Sequence, residues 1–173
     1  MAESLEEPAY TVHATYDGFE VRRYVDTIQA RVQMQDGDRS GGFRRVARYI
    51  FGGNNRGDSI AMTAPVSMWD DGDASWLAFT MPSAYALDAL PDPHDSGVKL
   101  IAKQGGDVAV LSFTGRTSQR RVERFETRLR AGVQAEGYIV AGPSVLAIYE
   151  NPWTTLPFLR RNEVQLQIGR AHV

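Results

Sequence analysis

The chain has 173 residues, 43% hydrophobic and 23% charged, with a formal net charge of −2, three histidines and no cysteine. That length and balance suit one folded domain with a real core and exclude global disorder. The near-neutral charge argues against a nucleic-acid partner, which calls for a basic excess on one face; the lack of cysteine excludes disulfides, thiol catalysis and thiolate metal sites.

The opening MAESLEEPAY carries acids where a signal peptide has a basic and then an apolar region, and no apolar run approaches membrane-spanning length. The expectation is a soluble, cytoplasmic monomer with no membrane span. Residues 1–8 end in Pro8 and read as a flexible arm, 9–169 as one domain and 170–173 as a tail.

Along the chain, YTVHATYDGFEVRRY alternates around Asp17-Gly18, a hairpin signal. In residues 28–34, Ile28, Ala30, Val32 and Met34 point one way and Gln29, Arg31 and Gln33 the other, as in a half-buried strand. Phe43, Val46, Ala47, Ile50 and Phe51 then recur at helical spacing, with Arg44, Arg45 and Arg48 off that stripe. Ser40 is the expected N-cap and Gly52-Gly53 the stop. Residues 59–68 and 75–81 read as strands joined at Asp71-Gly72, and the proline-bearing 82–97 as a crossover with one helical turn.

The pattern then restarts. Two strands meet about Gly105-Gly106, and a helix follows with Val122, Phe125, Leu129 and Val133 on one side, capped by Thr117 or Ser118 and stopped by Gly137. Residues 144–149 and 163–168 read as closing strands. The order of elements predicts an α+β fold of two pseudo-symmetric β-β-α-β-β halves. They would pair around a pseudo-two-fold axis as curved sheets carrying two main helices, with a ligand groove between helix and sheet.

The stretch FGGNNRGDSIAMTAPVSM (51–68) is ambiguous by composition. A phosphate cradle needs its glycines at a helix N-terminus followed by Lys and Ser/Thr, whereas these glycines follow a helix. An adhesion role for Arg56-Gly57-Asp58 needs an extracellular protein, and nothing here suggests secretion. The remaining reading is architectural: a helix stop, a polar turn, and entry of Ile60, Met62 and Ala64 into a strand whose Pro65 belongs at an edge or bulge.

The same stretch, with FTMPSAY at 79–85, YENPWTTLPFLRRNEVQLQI at 149–168 and FEVRRY at 19–24, resembles the SOUL family of haem-binding proteins in its bacterial form. The resemblance runs from about residue 9 to 169. The resemblance implies an α+β fold of two β-β-α-β-β halves with a mainly antiparallel, barrel-like sheet, a layout similar to effector-binding domains of multidrug-sensing transcription regulators and to some small-molecule hydrolases. The resemblance implies that haem or a porphyrin binds beside the first helix, with the protein as carrier or buffer.

On this sequence the implied wall is Phe43, Val46, Ala47, Ile50 and Phe51, with Ile60, Met62, Phe79 and Met81 opposite. The plainer reading of the same stripe is core. Arg44, Arg45 and Arg48 are candidate propionate partners, with Arg160 and Arg161 in the closing loop; for Arg161 a structural role is the expectation. His13, His94 and His172 all lie off the first helix, and Tyr49 and the methionines are unforced as iron ligands, so haem is expected without a protein axial ligand.

Glu163 carries a second hypothesis, implied by the effector-binding relatives: a polar anchor for amphipathic, cationic small molecules. Alternation puts it with Gln165 and Gln167, and its plainer reading is a pair with Arg160 or Arg161. No nucleophile elbow or zinc-protease motif is present, so we read a binder rather than an enzyme. Hydrolase-like proton transfer by Glu150 or Glu163 beside Tyr149 or Trp153 is the alternative.

Overall fold

The computed structural model describes residues 5–149 and 160–170. Its elements are β1 (Tyr10–Tyr16), β2 (Phe19–Tyr24), β3 (Thr27–Met34), α1 (Arg39–Ile50), β4 (Val66–Asp70), β5 (Ser75–Thr80), β6 (Lys99–Lys103), β7 (Gly106–Thr114), α2 (Gln119–Ala135), β8 (Tyr138–Val140), β9 (Val145–Ile148) and β10 (Arg161–Arg170). Short 3-10 turns lie at Gln35–Gly37 and Leu87–Ala89. The fold is α+β, and the strand pairs described below are antiparallel, as the order of elements predicts.

The chain forms two compact units, and neither is a contiguous half of the sequence. One contains the segment up to Pro8 together with Asp26–Gln104; the other contains Ala9–Val25 and the chain from Gly105 onward. The N-terminal hairpin thus joins the second unit, and β6 joins the first.

In the first unit the strand order is β6-β3-β5-β4. Register sets Ala30 opposite Phe79 and Val32 opposite Leu77, so the apolar face foreseen for residues 28–34 is the one that carries α1. Gly42 lets the helix approach closely: a Cβ there would meet Met34 at 3.0 Å and Leu77 at 3.6 Å. Glu6 bridges Thr63 in parallel, and its carboxylate accepts the Ser83 N–H at 3.2 Å, so this part of the predicted arm is paired to the unit.

Several local readings are corrected. The N-cap of α1 is Asp38, whose carboxylate accepts the Gly41 N–H at 3.0 Å, and Ser40 lies inside the first turn. Both residue types cap well, so composition left the choice to loop geometry. The strand expected over 59–68 is ordered only from Val66, because the segment before it pairs with Glu6 and Phe51 through isolated bridges. The stop at Gly52-Gly53 is as expected: Gly52 has φ +112°, and a Cβ on Gly53 would lie 2.5 Å from the Arg48 carbonyl oxygen.

In the second unit the order is β1-β2-β7-β10-β9, with β8 pairing the far end of β10. Only three residues long, β8 gave no alternation to read in the sequence. Val21, Ala109, Leu111, Val164 and Leu166 share the face that buries Val122, Phe125, Leu129 and Val133 of α2. Phe113 and Phe125 stack there with ring centroids 4.4 Å apart. Ser118 caps α2 and Gly137, at φ +83°, ends it. The opposite face carries Glu20, Arg22, Glu163 and Gln165.

Candidate ligand-binding site

The predicted stripe on α1 divides in two. At roughly 100° per residue, Gly42, Val46, Tyr49 and Ile50 cluster on one side, and these are the buried residues of the helix. Phe43, Ala47 and Phe51 lie on the shoulder of that face. Phe43 is 37% exposed and Phe51 64% exposed. The ring of Phe43 rests against Phe79 at 5.3 Å, so its position is set by the core beneath. The three residues span about 12 Å along the axis.

Arg44 and Arg48 follow on the solvent side of the same shoulder, both exposed and with no side-chain hydrogen bond or ion pair to a described residue. Arg45 turns the other way and binds Asp95 through two hydrogen bonds, of 2.7 and 2.8 Å. The Arg45 hydrogen bonds hold the Asp95 carboxyl at about 2, below its ordinary 3.8, with help from the Gly97 N–H. Of the three arginines, two are available to a ligand carboxylate.

Most of the other predicted wall residues are buried. Val46 and Ile50 belong to the core, as do Phe79, Ile60 and Met81. A helix laid on a sheet buries that face whatever its ligand, which is the plainer reading of the stripe. Met62 is half-buried in the segment leading from α1 toward β4. Tyr49 donates its hydroxyl to the Pro91 carbonyl at 2.7 Å, and burial pushes its pKa up to about 12. His13 and His94 are exposed and off α1; His172, Glu150 and Trp153 lie outside the described residues. Among the described residues no three His, Asp or Glu side chains gather as a metal site.

Glu163 lies in the second unit, at the centre of a buried polar cluster. Its carboxylate accepts from Arg22 Nη1 at 2.9 Å, the Tyr149 hydroxyl at 2.6 Å and Gln165 Nε2 at 2.8 Å. Arg22 also donates from Nη1 to the Tyr24 hydroxyl at 2.9 Å and from Nε to Glu20 at 2.7 Å, with its guanidinium 4.3 Å from the Tyr10 ring centroid. Burial opposes the charge on Arg22, but Glu163, Tyr24 and Glu20 outweigh it and hold the guanidinium above its ordinary value. Burial, followed by the Glu163 charge, pushes the hydroxyls of Tyr24 and Tyr149 up, so both stay protonated.

The expected partner of Glu163 is therefore corrected. The ion pair is with Arg22, neither Arg160 nor Arg161; the Arg161 guanidinium lies 4.1 Å from the Tyr149 ring centroid instead. Sequence reasoning missed Arg22, Tyr24 and Tyr10. Alternation in FEVRRY does put Glu20, Arg22 and Tyr24 on one face, but the same pattern describes a solvated strand face. Only the pairing of β2 with β7, and of β7 with β10, brings Arg22 to Glu163.

The chain belongs to the SOUL family: the family model described as "SOUL heme-binding protein" matches residues 5–167. Heme-binding protein 1 of Bos taurus is 28% identical over 131 residues, which cover 70% of this chain and 66% of that protein. The chain thus spans just under two thirds of that relative's length. Among solved structures, the C-terminal domain of EcmrR aligns with a TM-score of 0.66 at 9% identity, covering 94% of this chain and 99% of that one. A hydrolase from Listeria innocua aligns with a TM-score of 0.66 at 13% identity, covering 88% and 92%. At such identities these two likenesses describe the fold alone. No helix among the described residues is long and apolar enough to cross a membrane.

Proposed function

We propose that this protein binds haem or a related tetrapyrrole on the exposed shoulder of α1, as a carrier or buffer. The observation that carries this reading is the pair of exposed aromatic rings at Phe43 and Phe51, separated by Ala47 and followed by Arg44 and Arg48. Large apolar side chains left at the surface in a row, beside exposed cations that make no side-chain hydrogen bond or ion pair among the described residues, suit a flat apolar ligand with acidic substituents. Membership of the SOUL family supports the choice of tetrapyrrole.

The residues present fit the ring and its carboxylates and supply no histidine on α1 for iron. Haem bound here would bring its iron and macrocycle; the chain's own part is to cover one ring face and hold the carboxylates. Haemin and protoporphyrin IX are therefore expected to bind with similar affinity. The test is absorbance and fluorescence titration of wild type, Phe43→Ala/Phe51→Ser and Arg44→Ser/Arg48→Ser. Each double variant should weaken both ligands about 10-fold or more while folding normally, since about 1.4 kcal/mol of lost contact is tenfold. No binding by the wild type, or unchanged binding by both variants, overturns the proposal.

The second reading, an amphipathic small molecule anchored by Glu163, is the weaker. The carboxylate is already held by three donors from this chain, Arg22 among them.

A further inference from the structure

The Arg22–Glu163 cluster belongs to the second unit and shares no residue with the α1 shoulder, so the proposed tetrapyrrole binding leaves it unused. Two of the three donors to Glu163, Tyr149 and Gln165, are independent of Arg22, so two of the carboxylate's three hydrogen bonds do not need the guanidinium. Around the guanidinium stand the Glu163 and Glu20 carboxylates, the Tyr24 hydroxyl and the face of Tyr10. Two anions, a hydroxyl and an aromatic face are the set that recognises a planar organic cation. Arg22 itself is only 6% exposed, and its strand neighbours Val21 and Arg23 point away from the cluster.

We infer that this cluster is a guanidinium-binding cage whose occupant is the protein's own Arg22, and that Arg22 fixes the ligand class by shutting organic cations out of the second unit. The cage is sized for a guanidinium rather than a bulky lipophilic cation, because Tyr24, Glu20 and Glu163 each contact the Arg22 head directly at 2.7–2.9 Å. Removing that head leaves a buried carboxylate with unmet charge and a hole of matching shape. A small free guanidinium then satisfies both.

The experiment compares thermal unfolding of wild type, Arg22→Ala and Arg22→Ala/Glu163→Gln in low-millimolar methylguanidinium chloride, with equal concentrations of sodium chloride and tetramethylammonium chloride as controls. Arg22→Ala should gain about 3–5 °C at roughly ten times the dissociation constant. Wild type and the double variant should gain nothing from methylguanidinium beyond the salt control, and tetramethylammonium should not substitute. Should Arg22→Ala fail to fold in plain buffer, refolding yield becomes the readout. Recovery with methylguanidinium and not with sodium chloride supports the cage; no recovery overturns it. A folded Arg22→Ala that ignores methylguanidinium, or a wild type that responds equally, also overturns it. None of these outcomes depends on haem binding at α1.

Discussion

Asn54 is 2% exposed, and its side chain makes four hydrogen bonds. Its amide donates to the carbonyls of Tyr49 and Asp58, and its oxygen accepts the N–H groups of Arg56 and Asp58. One residue thus ties the end of α1 to the Arg56-Gly57-Asp58 turn. Asn54→Ala should destabilise the protein by about 1–3 kcal/mol, since it strands buried backbone groups. Asp58→Ser should stay within about 0.5 kcal/mol, because its carboxylate is half exposed and meets Arg56 only at 3.6 Å. Urea midpoints of the two variants check both values, and a reversed order would defeat the architectural reading of this loop. The sequence made the turn legible through its glycines. It hid the importance of Asn54, because an asparagine in a polar loop announces nothing about whether its amide points inward.

On α1 the periodicity located the helix but misassigned which apolar residues it buries. Tyr49 falls outside the apolar stripe yet belongs to the core, while Phe43 and Phe51 fall within the stripe and lie at its exposed shoulder. Hydrophobicity marks both core and ligand surface, so periodicity alone does not separate them. The helix also has an anchor that no local pattern shows, the Arg45–Asp95 pair; a Cβ on Gly97 would lie 2.1 Å from Arg45 Nη2. The folded-state pKa of Asp95 is depressed to about 2. Its contribution is therefore present above the ordinary carboxylate range and is lost as pH falls from about 4 toward 2. Both partners are about one-third exposed, so solvent screening limits that contribution to under about 1 kcal/mol. Urea denaturation of wild type and Asp95→Asn between pH 2 and pH 6 should show the variant less stable near neutrality, with the two curves converging in acid. Parallel curves would remove the anchor from the account of α1.

At the scale of the whole molecule, the sequence disclosed the number and order of elements but not how they are shared between units. The two sequence halves trade strands: β2 pairs β7 across the midpoint, and β6 returns to pair β3. Local alternation carries no information on partners so far apart in the chain as Val21 and Ala109 or Arg31 and Lys99, and so this exchange was illegible. Chains cut near residue 97 should give fragments that are unstructured separately and regain structure when mixed, as circular dichroism would show. Two independently folded fragments would contradict the shared units. The same exchange has a consequence for the growing chain on the ribosome. Val21 pairs with Ala109, so the first hairpin leaves the exit tunnel with nothing to complete its sheet. At about 5–20 residues per second, synthesis reaches β7 only about 4–18 s later. Throughout that interval the open edge of β2, with Val21 and Phe19 uncovered, is the part of the newborn protein most exposed to wrong partners.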